Sequence, residues 1–179
     1  MIFTETPLKG AYIIDVKKIE DDRGFFGRSF CVNELKELGL ETAIVQSNIS
    51  YNKKKGTLRG MHMQVSPYSE TKLIRCTSGG IYDVIVDLRK DSPTYTKWFG
   101  VELTARSYRM LYIPKEFAHG FITLEDDTEV EYQISEFFAP GSAVAYHWND
   151  PTFGISWPLA PAVISDKDKL NPHFILTEK

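Results

Sequence analysis

A chain of 179 residues can bury a substantial core without staples, so residues 1–179 are expected to form a single domain. With 42% hydrophobic and 25% charged residues the composition excludes wholesale disorder, and a net charge of -3 excludes a general nucleic-acid binder while leaving room for a local basic pocket. Cys31 and Cys76 can form one bridge at most, no Cys/His cluster suggests zinc, and neither a signal-like start nor a membrane-length apolar run is seen, which makes a soluble cytoplasmic protein the expectation.

Along the chain, short runs of β-branched and aromatic residues are punctuated by Gly, Pro, Asn and Asp. They predict strands over 11–16, 24–30, 43–50, 57–64, 71–77, 80–88, 98–104, 109–113, 120–124 and 129–135. The apolar spacing of 31–38 predicts one short helix, stopped by Gly39. Two strands alternate clearly. Tyr82, Val84, Val86 and Leu88 oppose Ile81, Asp83, Ile85 and Asp87; Val130, Tyr132 and Ile134 oppose Glu129, Glu131 and Gln133. There is no linker, repeat or low-complexity tract. Many short, closely spaced strands predict a mainly β protein, a jelly-roll barrel with a few short helices.

The densest chemistry lies in Gly56-Thr-Leu-Arg-Gly-Met-His-Met-Gln64, with Lys72 on the following strand. An imidazole (His62) and an ammonium (Lys72) on neighbouring strands suit proton removal from a carbon acid and stabilisation of the resulting oxyanion. A structural imidazole is an equal alternative for His62 alone. The fixed donors around it (Arg59, Gln64, Lys72) shift the balance, because they need an anionic or oxygen-rich ligand. Tyr132 fits core packing as well as it fits an acid. Asp168, in a run of alternating charges, reads as solvated surface or as the carboxylate that orients a catalytic imidazole.

His119 closes Pro114-Lys-Glu-Phe-Ala-His119, a spacing that resembles the second cupin motif with Glu116 where Gly is usual. The first cupin motif carries His-x-His; here it is His62-Met-Gln64, one imidazole short. A metal would be left with His62, His119 and a carboxylate such as Glu70, beside the cations Lys72 and Arg59, so a metal-free barrel is expected. No GxGxxG, Walker A, HExxH or GxSxG pattern is present, and no cofactor is expected.

Taken in order, Asp22-Arg-Gly-Phe-Phe26, Gln46-Ser-Asn-Ile-Ser50, Leu58-Arg-Gly-Met-His-Met-Gln64, Asp83-Val-Ile-Val-Asp-Leu-Arg89, Ala118-His-Gly-Phe121, Trp148-Asn-Asp-Pro151 and Ser165-Asp-Lys-Asp168 resemble the dTDP-4-dehydrorhamnose 3,5-epimerase family of the cupin superfamily, over about 7–172. The resemblance implies a nucleotide-linked 4-keto-6-deoxyhexose substrate, no cofactor, and a place in rhamnose formation for a surface polysaccharide. It implies His62 as base, Asp168 as its orienting partner, Lys72 on the enolate oxygen and Tyr132 as acid. Arg59 and His119 match diphosphate or sugar contacts, and Gln46 and Asn48 match pocket lining. Arg23 matches a nucleotide contact given by a partner subunit, with Phe26 and Arg28 in the same block. A strand-exchanged homodimer is therefore implied, with no nucleic-acid or membrane partner. The chain departs from the family at Arg28, where Glu is usual, and at Pro140-Gly-Ser-Ala143, where an acidic Pro-Glu-His-Glu is usual. These departures keep a CDP- or GDP-linked substrate and a single-carbon epimerase or ketoisomerase as alternatives; a non-catalytic sugar-binding cupin is another, because Arg59 and Lys72 would serve binding alone.

Overall fold

The strand-forming runs pair almost entirely antiparallel, and the computed structural model describes them over residues 1–176; residues 177–179 of the expected domain lie outside the described residues. The chain opens with β1 (Ile2–Glu5) and β2 (Tyr12–Asp15), then a small hairpin of β3 (Ile19–Asp21) and β4 (Gly24–Phe26), then helix α1 (Val32–Glu37). The body follows as β5 (Gln46–Asn52), β6 (Thr57–Gln64), β7 (Lys72–Ser78), β8 (Gly80–Asp87), β9 (Trp98–Thr104), β10 (Met110–Ile113), β11 (Phe117–Thr123) and β12 (Thr128–Ile134). It closes with β13 (Ala143–Ala145), β14 (Val163–Ile164) and helix α2 (Asp166–Lys169). One sheet runs β1-β2-β10-β7-β12-β5 and the other β13-β6-β11-β8-β9, with β14 added in parallel to β6.

The two sheets face each other, since one apolar cluster draws Ile74, Leu111 and Val130 from the first and Ile81, Ile85, Leu103 and Phe121 from the second. Burying a side chain of the size of Phe121 contributes roughly 1.5–3 kcal/mol. The second sheet is covered on its outer side too, where Met61, Val84, Val86 and Ala118 pack under Phe153 and Ile155. Both faces of β8 are therefore buried. The mixed face carrying Asp83 and Asp87 is the one that looks between the sheets, alongside Ile81 and Ile85. Outside the first sheet, Leu35 of α1 covers Ile14, Leu73 and Met110.

The sequence-based boundaries hold for β6 and β9. The helix expected at 31–38 forms as Val32–Glu37, and Gly39, at φ 69, ends it by donating to the Lys36 carbonyl. The strand expected at 24–30 stops at Phe26; at Gly27 the chain runs so close to Val16 that a Cβ would clash with it, and only glycine fits. The strand expected at 43–50 is shifted to Gln46–Asn52. The short elements β1, β3, β13, β14 and α2 carry too few residues to show a period.

One pair of glycines sets the geometry of the interior. Gly60 on β6 and Gly120 on β11 meet where the β6–β11 register slips between His119 and Phe121. A Cβ on Gly60, which sits at φ +141, would lie 2.6 Å from the Gly120 Cα. The irregularity lies next to Arg59, His62 and His119. Gly60→Ala is expected to lower the unfolding free energy by about 3 kcal/mol, since backbone cannot yield as a flexible side chain can. Urea denaturation of the two proteins measures it.

Candidate active site

Between the sheets a cavity of about 590 Å³ is lined by Gln46, Asn48, His62, Gln64, Glu70, Lys72 and Ile134, among others. A second space of about 300 Å³ adjoins it, lined by Asn48, Arg59, His62, His119 and Tyr132. Asn48, His62 and Ile134 line both. Strand pairing explains the gathering. His62 faces His119 across the β6–β11 pair, Tyr132 faces Asn48 across β12–β5, and Ile134 faces both Lys72 and Gln46. Side chains of directly paired residues share a face, so three strand pairs deliver these residues to one interior.

His62 is held from behind. Its Nε2 lies 2.7 Å from Asp168 Oδ1. An ionised carboxylate only accepts, so Nε2 carries the hydrogen and Nδ1 is left with the lone pair. Asp168 reaches this position because Ser165 caps α2, its hydroxyl accepting from the Asp168 amide at 3.1 Å. Burial alone would raise the Asp168 pKa. The hydrogen bond and charge of His62, the Ser165 hydroxyl and the Gly60 amide outweigh it and hold the carboxyl below its ordinary value of 3.8.

Asp87 and Asp150 are depressed in the same way, each against the desolvation of its burial: Asp87 by Arg89, Ser92 and Thr94, Asp150 by the Phe174 and Thr152 amides and by the Thr152 and His173 side chains. The unfolded chain therefore binds more protons than the folded one once the pH approaches 3.8 from above. The contribution of these carboxylates is complete above that value and is lost as the pH falls through their lower folded values. Urea midpoints followed into the acid range should drop there, and Asp87→Asn should flatten the drop as well as lower the plateau.

Lys72 is buried, with Nζ 2.8 Å from Glu70 Oε1 and donating to the His62 carbonyl at 3.2 Å. Glu70 accepts the Gln64 amide at 3.0 Å with its other oxygen. Gln64 donates to the Tyr68 and Phe137 carbonyls and accepts from the Ala139 amide at 2.7 Å, which fastens the 137–139 segment at the cavity rim. Where other cupins place a second imidazole, this chain places a structural clamp. The carboxylate available for a metal, Glu70, is committed to Lys72. Among the described residues no group of three or more His, Cys, Asp or Glu side chains is arranged to hold a metal.

On the other side of His62 stand Tyr132 and Arg59. Burial, and then the Asp83 carboxylate, push the Tyr132 phenol far above its ordinary 10.0, against smaller opposing effects of Ser50 and Arg59. It stays a proton donor throughout the neutral range. Arg59, which lines the smaller space, is oriented by Nε donating to Asn52 Oδ1 at 2.8 Å.

Seven of the expected site residues, His62, Lys72, Tyr132, Gln46, Asn48, Arg59 and His119, line the two spaces, and Asp168 stands behind His62. Arg23, Phe26 and Arg28 line neither. Arg23 pairs with Asp21 at the tip of the β3–β4 hairpin, Phe26 is 76% exposed, and Arg28 pairs with Glu34 at 2.7 Å. Reading the sequence alone missed Asp83, which is fully buried with Oδ1 2.6 Å from His119 Nε2. Its signal was present: a carboxylate alternating with Ile81 and Ile85 on a core face needs a partner there. Helix α2 was missed too, although Ser-x-x-Asp is a capping pattern.

A jelly-roll barrel whose interior sets an imidazole–carboxylate pair, a buried ammonium and a phenol around two adjoining spaces suits the removal and return of protons at carbon. The family profile described as dTDP-4-dehydrorhamnose 3,5-epimerase matches residues 5–175, and the chain belongs to that family. It is 40% identical to the dTDP-4-dehydrorhamnose 3,5-epimerase of Shigella flexneri, over 96% of this chain and 94% of that one. It superposes on the Bacillus anthracis enzyme of that name, solved with TDP and PPi bound, with a TM-score of 0.92 and 43% identity over 97% and 99% of the two chains. The Legionella pneumophila dTDP-6-deoxy-D-glucose-3,5-epimerase in complex with dTDP-4-keto-L-rhamnose matches with a TM-score of 0.86 and 35% identity, over 98% and 99%.

Proposed function

We propose that this chain inverts C3 and C5 of a dTDP-linked 4-keto-6-deoxyhexose through an enolate. The observation that carries the reading is the convergence of His62, Lys72 and Tyr132 on one interior, with Asp168 behind the base. The C4 ketone acidifies both neighbouring C–H bonds. His62 Nδ1 takes the proton, and the electron pair moves to the C4 oxygen. Lys72 supplies the charge that stabilises this oxygen, so the step needs no metal. Tyr132 returns a proton to the opposite face, and the carbonyl re-forms. Arg59 and His119 take the diphosphate or sugar oxygens, and Gln46 and Asn48 complete the wall.

The hairpin residues Arg23, Phe26 and Arg28 serve the site of a second copy in a homodimer. This is supported by their distance from their own cavity and by the outer edge of β5, where Ile49 and Tyr51 are exposed. A cytoplasmic location follows from a nucleotide-activated substrate. The test is NMR of dTDP-4-keto-6-deoxyglucose with the protein in deuterium oxide, following C3 and C5 separately. Exchange at both carbons, with the inverted product trapped by reduction, supports the reading. Exchange at one makes the chain a single-carbon epimerase. Exchange only with CDP- or GDP-linked analogues moves the substrate to those sugars, in line with Arg28 and Ala143.

A further inference from the structure

Inversion at two carbons poses a problem of proton balance. Each inversion leaves His62 with one proton too many and Tyr132 with one too few. Before the second inversion His62 must shed that proton and Tyr132 must regain one, through solvent or by a route from base to acid within the site.

The structure places a second imidazole–carboxylate pair on that route. His119 is the direct cross-strand neighbour of His62, and its ring meets that of Tyr132 edge-on at 6.1 Å between centroids. Its Nε2 is held at 2.6 Å by Asp83 Oδ1. Asp83 is fully shut off from water, and its Oδ2 has no hydrogen-bond partner. A buried carboxylate with an idle oxygen is costly unless a positive charge lies against it. The group against it is His119, and an imidazolium there compensates it. With Nε2 fixed on Asp83, Nδ1 is the nitrogen free to give and take a proton. His119, Arg59 and Tyr132 line the same small space.

We propose that the Asp83–His119 pair is the relay that recharges Tyr132 from His62 between the two inversions of one turnover. The inference rests on the 3,5-epimerase reading above. In the first inversion the Tyr132 O–H bond breaks and its proton joins carbon, leaving phenolate. The His119 imidazolium then gives its Nδ1 proton to the phenolate oxygen and becomes neutral. The proton that His62 took from carbon passes to His119 Nδ1, directly or through one water. His62 is neutral again, Tyr132 is a phenol again, and no net proton has been gained or lost. His119 is thus more than an anion contact, and Asp83 is a positioning residue acting through it.

The test is a single-turnover experiment with enzyme in excess over dTDP-4-keto-6-deoxyglucose, quenched by borohydride at successive times, with singly and doubly inverted sugars separated. The wild type should pass to doubly inverted product without accumulating the single inversion. His119→Asn and Asp83→Asn should accumulate it, with the second inversion slowed relative to the first by at least about tenfold. Asp83→Glu should recover part of the ratio. A purely structural or binding role slows both inversions alike, or raises KM alone, and either result overturns the relay. Should Asp83→Asn fail to fold, His119→Asn and His119→Gln decide. Absence of any exchange in the wild type removes the epimerase reading itself, and the relay with it. An unchanged product ratio in the variants removes the relay only.

Discussion

Replacing His62 by asparagine should cut hydrogen exchange at both C3 and C5 by about 10²–10⁴-fold, the usual contribution of a positioned base. That corresponds to about 2.7–5.5 kcal/mol of transition-state stabilisation. In the proposed mechanism one base serves both carbons, so the two losses should be equal within error. The fold should survive. The carboxamide keeps a donor for Asp168 Oδ1, now 2.7 Å from Nε2, so the buried carboxylate is not orphaned. His62 also lines the cavity and does not fill a core, so little packing is lost. Proton NMR in deuterium oxide reads the exchange, and circular dichroism against temperature reads the fold. Exchange retained at either carbon would assign the base elsewhere for that carbon. Asp168→Ala differs in kind. It frees the imidazole to rotate and removes the group that fixes its tautomer, so rate and stability should fall together.

What was legible beforehand follows from periodicity and from chain length between signals. The alternation of Gly80–Asp87 and Thr128–Ile134 marks strands because each is long enough to show two full periods. The same period placed Val130, Tyr132 and Ile134 on one face. It could not say that this face holds a cavity as well as a core, because that depends on which strands lie opposite. The role of Asp168 was beyond local reading. It sits 106 residues from His62 in sequence, in a four-residue helix, and only the crossing of the chain behind β6 brings the two together. Glu70 and Asp83 were hidden for a related reason. Asp83 is a carboxylate whose meaning is set by an imidazole on another strand, and Glu70 one whose partner, Lys72, opens the strand that follows it. The family resemblance, resting on short ordered blocks, supplied the assignments of base, acid and oxyanion partner proposed above, which local spacing left undecided. It also supplied Arg23, Phe26 and Arg28, which the isolated chain holds away from its own cavity.

Tyrosine 132 offers the sharper test, because acid and base can be separated by what each does to isotope and stereochemistry. In Tyr132→Phe only an oxygen is lost. The ring remains packed at 6.1 Å from His119 and 6.3 Å from Phe121, so the barrel should keep its shape. His62 can still remove a proton, and it can return a deuteron to the same face after exchange with solvent. Exchange should therefore continue at a reduced rate while inversion falls by about 10²-fold or more. The ratio of exchange to inversion should rise above that of the wild type, by the factor by which inversion falls more than exchange. The pH dependence argues the same way. Burial and the Asp83 charge hold the phenol protonated well above the ordinary 10.0. A phenol is active when protonated, so the raised value extends the working range of the acid toward alkaline pH. The alkaline limb of wild-type inversion must then come from another group, and Tyr132→Phe should leave its position unchanged while lowering its height. Equal losses of exchange and inversion would place the acid elsewhere and return Tyr132 to the core of the barrel.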